Sequence, residues 1–375
     1  MDRELQDFIK LPEEFERAAD WTEANRLFEY YTSERYADDA GSSSFINRLY
    51  YALKPFLPRG IQMQLRRAYS RVQARRKFPR WPVEPVLIEI LESLLRKIGS
   101  ELGLATLPHL GFWPKGKQWA LVLTHDVEGV GGVRNIRAVA EVEKRQGFRS
   151  SWNFVPERYP FDPRILEDLK ADGFEIGVHG LHHDGLLFQS LQTFRQRLPE
   201  IHRYASRWSA GGFRSPATHR NYEWMHELNF QYDSSFPDTD VFEPNPGGCC
   251  WIFPFFVRTL LEIPITLPQD HTLLEILKKR DFALWHEKVR WIKSKSGLAL
   301  LILHPDYILS AERLSFYEDF LKTMKDEVGL WSALPSEVAV WWRKRHASHL
   351  VAKNGRYEIV GPAEGEGYVA LRPLL

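Results

Sequence analysis

A chain of 375 residues with 44% hydrophobic content can bury one barrel-sized core and a smaller appendage. Lys and Arg number 50 against 49 Asp and Glu, so the net charge of +1 excludes a global field that recruits nucleic acid, and any electrostatic partner must be local. The longest clean apolar run, Leu298 to Leu303, is too short to span a bilayer, and Met1 to Lys10 is charged without an apolar centre. A soluble, cytoplasmic protein without a secretory signal is expected. The adjacent Cys249 and Cys250 are poorly placed for a mutual disulfide and suit a reducing compartment.

Residues 1–116 read as a helical extension, with three- and four-residue apolar spacing over Glu23 to Tyr31 and Pro85 to Leu95. Within it Arg66, Arg67, Arg71, Arg75, Arg76, Lys77 and Arg80 form a basic stretch without an acid. The plainer reading is a solvated helix face. The alternative is peripheral contact with a membrane surface or a polyanionic glycan.

From Trp119 short apolar strands alternate with longer amphipathic segments. The strands are Ala120 to Leu123, Ser151 to Val155, Glu175 to Val178, Gly211 to Phe213, Leu261 to Ile265 and Ala299 to Leu303. The helices between and after them are Ile136 to Gln146, Arg164 to Ala171, Phe188 to Arg207, Tyr222 to Leu228, Leu284 to Lys295 and Arg313 to Glu327. Six or seven such units predict a parallel sheet curled into a closed or nearly closed barrel over residues 117–346. The tail, residues 347–375, carries Arg356 to Val360 and Tyr368 to Leu371 around a Gly/Pro/Glu turn, which predicts a hairpin.

Five polar motifs stand at the ends of apolar runs. Thr124-His125-Asp126-Val127-Glu128 offers two carboxylates, one to bind a cation and one to take a proton from water. His179-Gly180-Leu181-His182-His183 places two imidazoles four apart, which in a helical turn brings the rings to about 5–6 Å. Two His and a carboxylate leave positions open for water and substrate, as catalytic zinc sites require. His182 is expected off that face. In Arg214-Ser215-Pro216 the guanidinium can hold a catalytic carboxylate ionised, and the proline can aim a backbone N–H, that of Ala217, at an oxyanion. Asp233, in Tyr232-Asp233-Ser234-Ser235, could orient a site His or Arg, or be a turn residue. His304, before Pro305, suits a general acid opposite the base.

In order, strand context and residue type these segments resemble the polysaccharide deacetylase family, carbohydrate esterase family 4, the NodB-homology group. The similarity spans roughly residues 117–310. It implies a distorted (β/α)7 barrel in an α/β protein, and metal-dependent removal of an acetyl group, N-acetyl before O-acetyl, from a sugar or glycan precursor. It also implies a divalent metal, usually zinc, with His179 and His183 as ligands, Asp126 as base, Arg214 tuning it and His304 as general acid. The chain departs from the family at Val127, where a metal-binding Asp is usual. Glu128 is then the substitute ligand, and which of Asp126 and Glu128 is base stays open. Ala217-Thr218-His219 replaces the usual residues after the proline. Lacking an export signal, the chain points to a lipid-linked or nucleotide-linked sugar rather than wall polymer, with no nucleic acid and no obligate protein partner. Two other classes stay open: a 2-His-1-carboxylate iron enzyme and a sugar-binding protein without catalysis.

Overall fold

The two innermost strands explain why the chain folds as it does. β2 (Trp119–Val127) and β9 (Leu298–Leu303) are buried at every position, as strands covered on both faces must be. They run parallel, from Ala120 against Leu298 to His125 against Leu303. On the other side of β2 follow β3 (Ser151–Phe154), β4 (Glu175–His179), β5 (Gly212–Arg214), β6 (Tyr232–Asp233) and β8 (Leu260–Glu262), all parallel. β7 (Phe255–Val257) lies antiparallel outside β8, and β10 (Leu330–Ser332) beside the start of β2. The sheet curls until the chain beyond β8 meets β9. There the N–H groups of Thr266 and Leu267 both donate to the Leu300 carbonyl. Seven of the parallel strands, β2 to β6, β8 and β9, form the expected distorted (β/α)7 barrel in this computed structural model, which describes residues 4–39, 59–243, 245–308 and 310–374.

Helices Val130–Gln146, Arg164–Ala171, Leu191–Trp208, Ala283–Ser294 and Ala311–Lys325 cover the barrel close to the positions that periodicity predicts. Leu191–Trp208 starts where the Ser190 hydroxyl accepts the Thr193 N–H at 3.0 Å, a side-chain cap. The expected helix at Tyr222 to Leu228 shrinks to a single 3₁₀ turn, Met225–Leu228, stopped by Asn229 at φ 50°. So short a link to β6 cannot repay the cost of helix nucleation.

Among the described residues the N-terminal region is helical up to Leu102, and residues 40–58 of the expected helical extension lie outside them. Helix Val86–Leu102 buries Leu87, Leu91, Leu95 and Ile98 and ends at Gly103, φ 66°, a left-handed cap that glycine adopts without penalty. The chain then enters β1 (Thr106–Leu110) rather than remaining helical to residue 116. Helix Glu4–Ile9 joins the barrel through Arg345, which is 1% exposed in helix Pro335–His346. Its guanidinium donates to the carbonyls of Gly111 at 2.9 Å, Phe8 at 2.6 Å and Leu110 at 2.8 Å, and packs against Phe8, Phe112 and Trp342.

The tail does contain a hairpin, but its strands pair differently from the expectation. Arg356–Val360 (β12) pairs with His349–Lys353 (β11), joined by Asn354 and Gly355 at φ 51° and 73°. That is the Asn-Gly signature of a tight two-residue hairpin. Val369–Pro373 (β13) instead runs antiparallel to β1, from Leu110 against Val369 to Thr106 against Pro373.

Replacing Arg345 by Met strands the Phe8 and Gly111 carbonyls, each costing about 1 kcal/mol or more, while Leu110 keeps the His109 ring N–H at 3.0 Å. Urea unfolding should therefore show a loss of about 2 kcal/mol, which Lys, lacking the planar fork, does not restore. An Arg345→Met protein as stable as the parent would remove this role.

Candidate active site

The mouth of the barrel is built first by β2. Side chains alternate along a strand, so Thr124 and Asp126 face one way and His125 the other. His125 is fully buried among the outer helices, with Nε2 at 2.7 Å from Glu143 Oε1. Thr124 and Asp126 face the mouth. Asp126 Oδ1 accepts from Asn153 Nδ2 at 2.8 Å and lies 3.6 Å from Arg214 Nη1, while Oδ2 lies 3.9 Å from His179 Nε2. Burial pushes the Asp126 carboxyl up, but Arg214, then His179 and His304, outweigh it and hold it below the usual carboxylate range.

β4 delivers His179 at its last residue. His179 Nδ1 sits 3.1 Å from the Arg214 carbonyl, so that nitrogen carries the proton and Nε2 presents a lone pair to the mouth. His179 Nε2 is buried and has no hydrogen-bond partner. Burial lowers the pKa of this imidazole and favours its neutral form. The two histidines do not share a helical turn. The chain bends sharply after His179, with Gly180 at φ 64° and His183 at φ 56°, yet the ring centroids come to 5.1 Å. Gly180 is required there, because a Cβ would meet the Pro216 ring at 2.5 Å. The backbone bend supplies the ring approach expected from helical spacing, by another route.

His183 Nε2 is 2.7 Å from Glu128 Oε1, and His179 Nε2 is 3.9 Å from the same oxygen. Burial raises Glu128, but His183 and His179 overcome it and leave the carboxyl well below its ordinary value. Donor atoms of Glu128, His179 and His183 all lie within 4.8 Å of one another, a spacing that one cation can bridge. A buried neutral imidazole with an unengaged lone pair beside an ionised carboxylate is the donor set a divalent metal takes. His182 points away, 3.6 Å from Glu157.

Arg214, at the end of β5, is 1% exposed. Its Nε donates to the Ser234 carbonyl at 2.7 Å, Nη2 to Ser234 Oγ at 2.9 Å and Nη1 to Thr124 Oγ1 at 3.1 Å. The Tyr232-Asp233-Ser234-Ser235 motif is thus the cradle of the arginine. Asp233 makes no bond to a site His or Arg among the described residues. It accepts from Ser235 Oγ at 2.8 Å, and that oxygen accepts the Ser215 N–H at 2.8 Å. Ala217, after Pro216, stands at φ 51°, a strained conformation for a residue with a Cβ.

His304 closes the mouth from the end of β9. Its Nε2 is 3.8 Å from Glu128 Oε1, and its Nδ1 is 2.6 Å from Asp270 Oδ1. Asp270 Oδ2 also accepts the His304 N–H at 2.8 Å. Burial pulls the His304 imidazole down, but Asp270, with Glu128 and Asp126 behind it, outweighs this and lifts it to about 10.

Asp270, Asn153 and Asp306 were not picked out by sequence reasoning. Asp306 ties the two key strand ends together by accepting the N–H groups of Glu128 and Gly132, each at 2.9 Å. Asp270 follows the apolar run Leu260 to Leu267 as Pro-Gln-Asp, the same strand-end carboxylate signal that marks Asp126.

No protein-family model matches the chain, and no characterised protein matches it in sequence. Solved structures do match. A protein from Mycobacterium smegmatis assigned as a polysaccharide deacetylase superposes at TM-score 0.51 and 17% identity, over 65% of this chain and 96% of its own. Another so assigned, from Pseudomonas aeruginosa PAO1, superposes at TM-score 0.50 and 18% identity, over 62% and 93%. The fold is that of the polysaccharide deacetylases. The allantoinase Puue also matches, at TM-score 0.49 and 16% identity over 62% and 92%. In this polysaccharide-deacetylase barrel the polar groups above converge at the strands' C-terminal ends, where parallel barrels carry their sites.

Because the folded-state value of His304 is raised, the His304–Asp270 pair contributes stability that is complete below about 6.5, the free imidazole value, and is lost as pH rises through about 10. Asp270→Asn should lower the His304 titration observed by NMR and flatten that alkaline loss. An unchanged His304 titration in the variant would refute the assignment.

Proposed function

We propose that the protein is a metal-dependent hydrolase that removes an acetyl group, N-acetyl in preference to O-acetyl, from a sugar or glycan precursor. The observation that carries this reading is the arrangement at the mouth: a triad of donors with an unengaged lone pair, flanked by an ionised Asp126 and a protonated His304. An acid and a base held in opposite protonation states around one site are what acyl transfer to water needs. Zinc suits the two imidazoles and the carboxylate, with Glu128, His179 and His183 as its ligands. When bound, the cation supplies Lewis acidity to water and to the acyl carbonyl.

The chain's own residues divide the rest. Asp126, kept as carboxylate by Arg214, takes the proton of the attacking water. Arg214 is held in place by Thr124 and Ser234. The Ala217 N–H, presented by the left-handed turn after Pro216, donates to the developing oxyanion. His304 gives its Nε2 proton to the departing amine while Asp270 steadies the ring. Asp233 is a positioning residue, acting through Ser235 on the Arg214-Ser215-Pro216 loop. A 2-His-1-carboxylate iron site would share the triad but has no use for the charged His304–Asp270 pair. The substrate we favour is a lipid-linked or nucleotide-linked sugar. Buried, unpaired Cys249 and Cys250 suit a cytoplasmic setting.

Acetate release from a panel of acetylated sugars, with elemental analysis of the same preparations, tests the reading. Asp126→Asn should lose about 10²–10⁴-fold in rate with metal content unchanged. His179→Ala should lose the metal as well. Metal-loaded protein that releases no acetate from any sugar would overturn the proposal.

A further inference from the structure

Helix Arg59–Gln73 wears its polar side inward. Arg66 Nη2 donates to the Phe242 carbonyl at 3.4 Å, Arg67 Nε to that of Glu275 at 3.0 Å and Gln73 Nε2 to that of Glu243 at 3.3 Å. Ser70 and Gln73 are buried. Among the helix's described apolar side chains Leu65 is 46% exposed, Val72 is 60% exposed and Ala68 between them is exposed, while Tyr69 is half-buried. Seven residues separate Leu65 from Val72, so they share one face two turns apart. Arg71 flanks that face, and Arg75, Arg76 and Lys77 follow the helix. All four are exposed, and among the described residues none has an acidic partner, whereas Arg66, Arg67 and Arg80 do. Between Asp39 and Glu84 the sequence contains no acid at all.

A helix that only packs on a barrel buries its apolar stripe and solvates its charges. This one exposes a mixed apolar and cationic face, the composition of a helix lying in a bilayer interface. A polyanion in water would engage the arginines and leave Leu65 and Val72 wet, so charge and apolarity together favour lipid.

We propose that the outward face of Arg59–Gln73, with Arg75, Arg76 and Lys77, docks the protein on the surface of an anionic membrane. The inward side of the same helix is bonded to Glu275, in the turn that follows Asp270, so the docked helix lies beside the catalytic mouth. If the deacetylase reading above holds, on which this one consequence rests, the substrate is an acetylated sugar carried at headgroup level.

Co-sedimentation with vesicles of phosphatidylcholine, alone or with about one-third phosphatidylserine, reads the docking without any activity. Wild type should bind the anionic vesicles and not the neutral ones. Arg71→Gln/Arg75→Gln/Arg76→Gln should weaken binding about 100-fold, and Leu65→Gln/Val72→Gln should also weaken it with charge unchanged. None of these side chains bonds to the barrel, so thermal unfolding and turnover of a water-soluble acetylated sugar should match wild type. Loss of that turnover in wild type would refute the deacetylase reading and leave the docking intact. Equal vesicle binding by the triple variant would overturn the docking. So would binding of heparin or duplex DNA as tight as binding of vesicles and indifferent to Leu65→Gln/Val72→Gln, since that describes a polyanion site.

Discussion

Arg214 is the residue on which the mouth of the barrel depends, because its two ends fix two different partners. The guanidinium lies 3.6 Å from Asp126 and is pinned by Thr124 and Ser234, while its backbone carbonyl fixes the proton on His179 Nδ1. One residue at the end of β5 thereby sets the charge of a carboxylate on β2 and the tautomer of an imidazole on β4. A buried guanidinium is costly unless its N–H groups find acceptors, and the Tyr232-Asp233-Ser234-Ser235 segment supplies two, the Ser234 carbonyl and Oγ, beside Thr124 Oγ1. Its serines are structural to the arginine and, through the arginine, to the site.

Burial has opposite effects on the site's ionisable groups because their neighbours differ. Asp126 and Glu128 are surrounded by cationic or cationisable groups and stay ionised despite desolvation. Desolvation of His179 outweighs the nearby Asp126 and Glu128 carboxylates and favours the neutral form, while His304, facing Asp270, favours the charged one. Two histidines at the mouth of one barrel thus favour opposite protonation states because their neighbours differ.

Much of this was legible in the sequence, since strand ends carrying Asp126, His179, Arg214 and His304 announce themselves as polar breaks in apolar runs. What was not legible are contacts whose partners lie far apart in the chain. Asp270 looks like a turn residue until β9 brings His304 to it, and Asp306 looks like a helix cap until it is seen holding Glu128 as well as Gly132. The spacing of His179 and His183 suggested a helical turn, whereas Gly180 and Pro216 make a bend with the same ring separation. The tail hairpin was expected from strand-like text, but the Asn354-Gly355 pair that fixes its register went unread, and nothing local reveals that Val369–Pro373 belongs beside Thr106–Leu110. That pairing is selected by the tertiary fold, not by propensity.

The pairing of β1 with β13 sets an order of events at the ribosome. About 260 residues separate the two strands, so at roughly 5–20 residues per second β1 waits on the order of tens of seconds for its partner to be synthesised. Through that interval its backbone donors and acceptors are an open edge in a crowded cell, available to any other extended chain. The barrel can close in the meantime, so β1 and β13 would join last, as a clasp fastened over a core already formed.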